Sequence, residues 1–219
     1  MSVWRCAAFA LALLGCSPSA AEAPGVDQWV AVEVQATPVD LGVAEAGRLR
    51  FRGGLALSGD SARFGGFSGL EVLEDGRLIA VTDAGDWFEA RLVLDEAGAL
   101  IGVEDGRMAF MRDENGAVFS SKAAGDAEAL AQLPDGRFAV AFEQTQSIRI
   151  YDLNRDGPFG AAAPGPVLAG VDRLPPNAGL EAMAADASGA LIVGAEGGGG
   201  ATPLWRAPLQ SAAPAPSHA

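Results

Sequence analysis

Three stretches of equal length decide the fold: FSGLEVLEDGRLIAVTD (67–83), AEALAQLPDGRFAVAFE (127–143) and LEAMAADASGALIVGAE (180–196). They align without gaps, and Gly76, Gly136 and Gly189 fall in equivalent places, 60 and 53 residues apart. By propensity the alanines of the second and third copies favour helix. The first copy is a poor helix and a good hairpin, with β-rich arms around Asp75-Gly76. A repeat has one structure, so all three are expected to be hairpins.

Working outward, turn signals recur at Asp95–Gly98, Asp113–Gly116 and Arg155–Gly157, with short β-rich runs such as Phe88–Leu94 and Ser147–Leu153 between them. Short strands with Asp-Gly turns at close spacing predict an all-β chain. A period of about 40–50 residues with several strands per unit is the pattern of propeller blades. The expected fold is a β-propeller of about three to four blades, incomplete, because rings usually need four to eight. Trp87 and Tyr151 are expected to pack between blades.

Residue counts narrow the chemistry. The chain has 219 residues, with 15 Lys+Arg against 28 Asp+Glu, for a net charge of −13. Such a chain repels nucleic acid and anionic lipid and attracts cations. The single histidine is His218, beside the C-terminus, and the two cysteines are Cys6 and Cys16. The body therefore lacks the residues of Ser-His-Asp or Cys-His catalysis and of His-ligated zinc.

Both cysteines lie in the first sixteen residues. Arg5 precedes an apolar run from Cys6 to Leu14, too short to span a bilayer. Leu13-Leu14-Gly15-Cys16 resembles the bacterial lipobox, which implies cleavage before Cys16 and its lipidation. The alternative is an ordinary secretory signal cut after Ala20 or Ala21. Ser17 at the next position, as in outer-membrane lipoproteins, points to a periplasm-facing protein held by its lipid alone. The expected organisation is a signal over 1–15, a tether and leading strand over 16–47, blades over 48–205, and a disordered tail over 206–219.

Acids are placed symmetrically in the repeats. Glu128 and Glu143 flank Asp135-Gly136, and Glu181 and Glu196 flank Ser188-Gly189 in the same way. Ser68 and Asp83 flank Asp75-Gly76. In a hairpin with an even-numbered loop such residues are directly opposite, with Cβ atoms about 4.5–5.5 Å apart. Facing carboxylates repel, so the pattern suggests a cation between them; solvated strand ends or a shared proton are the alternatives. Oxygen ligands without His or Cys select Ca²⁺ or Mg²⁺, and a flexible multi-carboxylate site favours Ca²⁺. Asp152–Gly157 matches the first half of a calcium loop but lacks the twelfth-position Glu, so it reads as a polar turn. Gly197–Gly200 lacks the Lys of a phosphate loop and reads as a flexible segment.

Phe64-Gly65-Gly66-Phe67-Ser68-Gly69-Leu70, Asp75-Gly76-Arg77-Leu78, Thr82-Asp83, Asp126-Ala127-Glu128-Ala129-Leu130, Phe142-Glu143 and Pro175–Met183 carry a family resemblance. Together they resemble the phytase-like family named for an esterase-like activity of phytase, and more distantly the β-propeller phytases. The resemblance covers about Arg48 to Trp205. It implies calcium held by Glu128, Glu143, Glu181 and Glu196, with Asp83 a further ligand and Ser68 a departure from the acidic pattern. It also implies a six-bladed ring, with the later blades missing here. The expected activity is calcium-dependent hydrolysis of a small phosphoester, calcium lowering the pKa of a water, with Lys122 and Arg91 clamping phosphate and no separate catalytic nucleophile assigned. Other readings are a non-catalytic cell-envelope propeller that calcium only stabilises, and a metal-dependent lactonase-type propeller.

Overall fold

The computed structural model describes residues 27–175, 178–196 and 202–209. Cys6, Cys16, Asn177, the Gly197–Gly200 run and His218 lie outside the described residues. In chain order the strands begin with β1 (Val30–Ala31), β2 (Val34–Pro38), β3 (Glu45–Ala46), β4 (Leu49–Arg50) and β5 (Leu55–Gly59). The first hairpin repeat gives β6 (Phe67–Val72) and β7 (Arg77–Thr82), followed by β8 (Asp86–Leu94) and β9 (Leu100–Phe110). The second gives β10 (Ala127–Gln132) and β11 (Phe138–Phe142), followed by β12 (Ser147–Tyr151) and β13 (Ala163–Pro164). The third gives β14 (Leu180–Ala185) and β15 (Leu191–Ala195), followed by β16 (Leu204–Ala207). The alanine-rich copies are strands, as the repeat predicts.

Three antiparallel sheets carry the architecture, in strand orders β1-β9-β8-β7-β6, β10-β11-β12-β13 and β14-β15-β16. Pairs β2-β5 and β3-β4 stand apart from them. The first strand of each repeat, β6, β10 or β14, is the edge of its own sheet, and β10 lies against both β6 and β14. The sheets therefore stand side by side like blades with their repeat edges together. Among the described residues they do not close a ring, and the architecture is an incomplete propeller-like fold.

The blades hold together by burying both faces of the middle one. Side chains alternate along a strand, and on β11 the two faces meet different neighbours. Phe138, Val140 and Phe142 pack with Ile79, Val81 and Trp87 of the first blade. Ala139 and Ala141 pack with Leu180, Leu191 and Val193 of the third. This is why FAVAF is an unbroken apolar run, buried at every position. Each such aromatic or branched side chain contributes about 1.5–3 kcal/mol on full burial. Trp87 and Tyr151 meet edge to face, centroids 5.2 Å apart, in the first of these interfaces.

Close approach at the repeat edges needs small residues. A Cβ on Gly69 of β6 would lie 2.7 Å from the Leu130 nitrogen. The equivalent residues of the other repeats are Ala129 and Ala182. At the far end, β16 runs to Ala207, which pairs with Leu191 and is buried in the interface core, two residues past the expected limit of the blades. Asp152–Gly157 forms a one-turn helix, Leu153–Asp156, whose Asp152 carboxylate accepts from the Arg155 N–H at 3.0 Å. Among the described residues no helix is long and apolar enough to cross a membrane.

Candidate metal centre

The hairpin loops are three residues long rather than even-numbered, and this changes the geometry of the acids. In the first repeat the Gly76 N–H donates to the Leu73 carbonyl at 3.0 Å, and the Leu73 N–H donates to the Arg77 carbonyl at 2.8 Å. Leu133, Gly136 and Arg137 repeat this pattern, as do Asp186, Gly189 and Ala190. The loop is a tight turn followed by a left-handed residue, which glycine adopts without strain. Gly76, Gly136 and Gly189 have φ of +82°, +85° and +82°. The register that follows sets Leu130 opposite Val140, not opposite Ala141 as an even-numbered loop would require.

A second irregularity follows near the open end of each hairpin. The ladder shifts between Phe67 and Gly69, between Ala127 and Ala129, and between Leu180 and Ala182. Each shift leaves one extra residue, Ser68, Glu128 or Glu181, in a β-bulge. A bulge bends the strand and re-aims its side chains. Beyond it, the Glu143 N–H donates to the Asp126 carbonyl, the Glu196 N–H to the Gly179 carbonyl and the Asp83 N–H to the Gly66 carbonyl, each at 2.9 Å. The expected direct opposition of Glu128 to Glu143 and of Glu181 to Glu196 is therefore corrected. The acids still converge, but by way of the bulge and of neighbouring blades.

Two groups result. Carboxylate oxygens of Asp126, Glu128 and Glu143 lie within 4.8 Å of one another, and so do those of Glu143, Glu181 and Glu196. Glu143 belongs to both. It is buried, as is Asp126, whereas Glu128 is half-buried and Glu181 and Glu196 are exposed. Glu143 accepts from the Gln144 side-chain amide at 3.2 Å. Burial, then the charges of Glu181, Asp126, Glu143 and Asp83, push the Glu128 carboxyl up to about 7. Burial and then Glu143 and Glu196 also raise Glu181. The neighbouring charges that raise these two groups are all acids.

Lys122 and Asp83 stand at one end of the row. The Lys122 ammonium lies 2.7 Å from Asp126 Oδ1 and 3.1 Å from Asp83 Oδ2. The hydrogen bond to Asp126, and then that to Asp83, raise its pKa despite some desolvation. Arg91 is elsewhere. It sits opposite Arg77 in the ladder and donates to the Asp75 carbonyl at 3.0 Å, at the turn end of the first hairpin. It lines an outer hollow of about 390 Å³ with Glu89, Asp105 and Arg107. Asp126 is the residue that the symmetry argument missed. Its signal was the Asp-x-Glu spacing of Asp126 and Glu128 just ahead of the second repeat.

A family model described as phytase-like, "Esterase-like activity of phytase", matches residues 62–210. No curated protein matches the chain. Among solved structures, selenomethionine-substituted virginiamycin B lyase from Staphylococcus aureus is similar at 10% identity and a TM-score of 0.37, over 81% of this chain and 46% of that one. A streptogramin B lyase is similar at 12% identity and a TM-score of 0.35, over 80% and 45%. A catalytically inactive S. aureus virginiamycin B lyase with quinupristin is similar at 10% identity and a TM-score of 0.35, over 81% and 75%. This chain spans less than half the length of the first two.

Proposed function

The chain belongs to the phytase-like family, and on that footing we propose that it is an exported, lipid-anchored, calcium-dependent hydrolase of small phosphoesters. The observation that carries this reading is the convergence of Asp126, Glu128, Glu143, Glu181 and Glu196 in two groups linked by Glu143. The fit to a hard cation rests on the donor set, which is carboxylate oxygen alone. It rests also on the raised Glu128, since half-buried carboxylates this close to other acids favour taking up protons or a cation.

When bound, calcium supplies charge neutralisation for a phosphoester and Lewis-acid polarisation of its oxygen. Glu143 is the buried, fixed holder common to both groups, with Glu181 and Glu196 completing one and Glu128 and the Lys122-bound Asp126 the other. Exposure of Glu181 and Glu196 leaves that end of the row open to a ligand from solvent. Lys122, held by Asp83 and Asp126, has an exposed side chain that can meet a phosphate oxygen. Arg91, at the opposite end of its hairpin, takes no part.

The test is turnover of p-nitrophenyl phosphate and of phytate in calcium against chelator, with melting temperature followed on the same samples. Calcium-dependent turnover together with a calcium-dependent rise in melting temperature is the expected result. A rise without turnover supports a calcium-stabilised envelope module instead. Equal melting with and without calcium would overturn both. Anchoring is tested separately, because Cys16→Ser should move the protein out of the membrane fraction.

A further inference from the structure

The repeat gives each part of the carboxylate row a counterpart one blade away. Carried back by the repeat, Glu143, Glu181 and Glu196 at the second junction correspond to Asp83, Glu128 and Glu143 at the first. Among the described residues this first-junction set does not gather into a carboxylate group of its own. A cation of the chain is there instead. Lys122 opens the short turn Lys122–Ala124, fixed by the Ser121 hydroxyl accepting from the Ala124 N–H at 3.3 Å. From that turn its Nζ reaches Asp126 at 2.7 Å and Asp83 at 3.1 Å, bridging the first two blades. Ser68 occupies the bulge where the other repeats carry glutamates, and it donates to the Ala127 carbonyl of the next blade. The first junction thus has a serine in its bulge and an ammonium beside its acids, whereas Glu128 and Glu181 are raised by burial and by neighbouring acids.

We propose that Lys122 is a tethered cation that takes the place of a divalent ion at the first junction and confines metal binding to the carboxylates of the second. This rests on the reading of the row as a cation site. An ammonium attached to the backbone is present at any calcium concentration, so Asp83 and Asp126 keep a shared countercharge when calcium is absent. A divalent ion beside it would meet like charge at close range, which disfavours binding there.

The experiment compares wild type, Lys122→Gln and Lys122→Arg by calorimetric titration with calcium chloride and by melting in calcium and in chelator. Lys122 is mostly exposed, so the variants are expected to fold. Lys122→Gln should bind one more calcium ion per chain than wild type. It should melt below wild type in chelator and regain the difference in calcium, and Lys122→Arg should behave as wild type. Adding Asp83→Asn to Lys122→Gln should remove the extra ion. Equal stoichiometry and equal calcium shifts in wild type and Lys122→Gln would overturn the proposal while leaving calcium at the second junction intact. Calcium taken up by Lys122→Gln alone would uphold the tethered cation and refute calcium at the second junction. No uptake by either would sink both.

Discussion

The two ends of the second and third hairpins carry acids in opposite electrostatic states, and the first shares their turn end. At the turn end, Asp75 pairs with Arg77 and Asp135 with Arg137, each at 2.8 Å, and Asp186 pairs with Arg206 at 2.6 Å. Hydrogen bonds from Arg77 and Arg137 hold the first two carboxyls below the ordinary range. Those from Ser188 and then Arg206 do the same for Asp186. At the bulged end, Glu128 and Glu181 are raised by burial and by other acids. Residue types are alike at the two ends, and the counterions are not. An acidic chain is therefore not uniformly a cation sponge, and the part of the bulged end beyond the reach of Lys122 is where a ligand has something to supply.

The largest expected effect falls on Glu143, the residue common to both groups. Glu143→Gln should remove most of the calcium stabilisation, which for wild type is about 2.7 kcal/mol at a hundredfold excess over Kd. Glu128→Gln and Glu196→Gln, each in one group only, should remove less. Calcium titrations of melting temperature give the order, and equal losses in all three would break the claim that Glu143 links the groups.

Next comes the spacing of the row, set by how closely the repeat edges approach. Gly69→Ala places a methyl against the Leu130 backbone, an overpacking that costs about 1–3 kcal/mol in urea denaturation. A neutral result would mean that the blades separate without cost.

A third test uses pH in chelator. The Glu128 pKa is higher folded than unfolded, so between its ordinary value of 4.5 and about 7 the folded state holds more protons. Melting temperature should fall as pH rises through that window and level off above it, with Glu181 acting in the same direction. Glu128→Gln should flatten most of the fall. The lowered Asp135 behaves inversely, its contribution being lost only as pH drops below the ordinary aspartate range.

The smallest effect is expected at the turn end. Asp135→Asn breaks an exposed pair worth about 1 kcal/mol or less and should leave the calcium response unchanged. A changed response would erase the contrast between the two ends.

Much of this was legible in the chain before folding. Equal-length copies around Gly76, Gly136 and Gly189 identified the hairpins, and they overrode the helical propensity of AEALAQL because one backbone pattern had to serve all three. Register was harder. The glycine that ends each loop demands a left-handed residue, the mark of a three-residue connection, yet symmetry about Asp-Gly suggested an even one. The bulges have no signature common to all three copies: Ser68 stands where the others carry Glu128 and Glu181. Beyond the second bulge, the Glu143 N–H donates to the Asp126 carbonyl, which sets Asp126 beside the row. Arg91 was misplaced for a related reason, since distance along a strand decides which end of the hairpin a side chain occupies.

A bulged residue stands outside the pairing on which the blade depends, and this separates two kinds of inheritance. Exchanging serine for glutamate there alters the charge of the row while the packed faces on either side keep their partners. One chain already displays this, with Ser68 in one copy and Glu128 and Glu181 in the others. The bulge is thus a position of evolutionary latitude, where ligand preference can drift without renegotiating the fold.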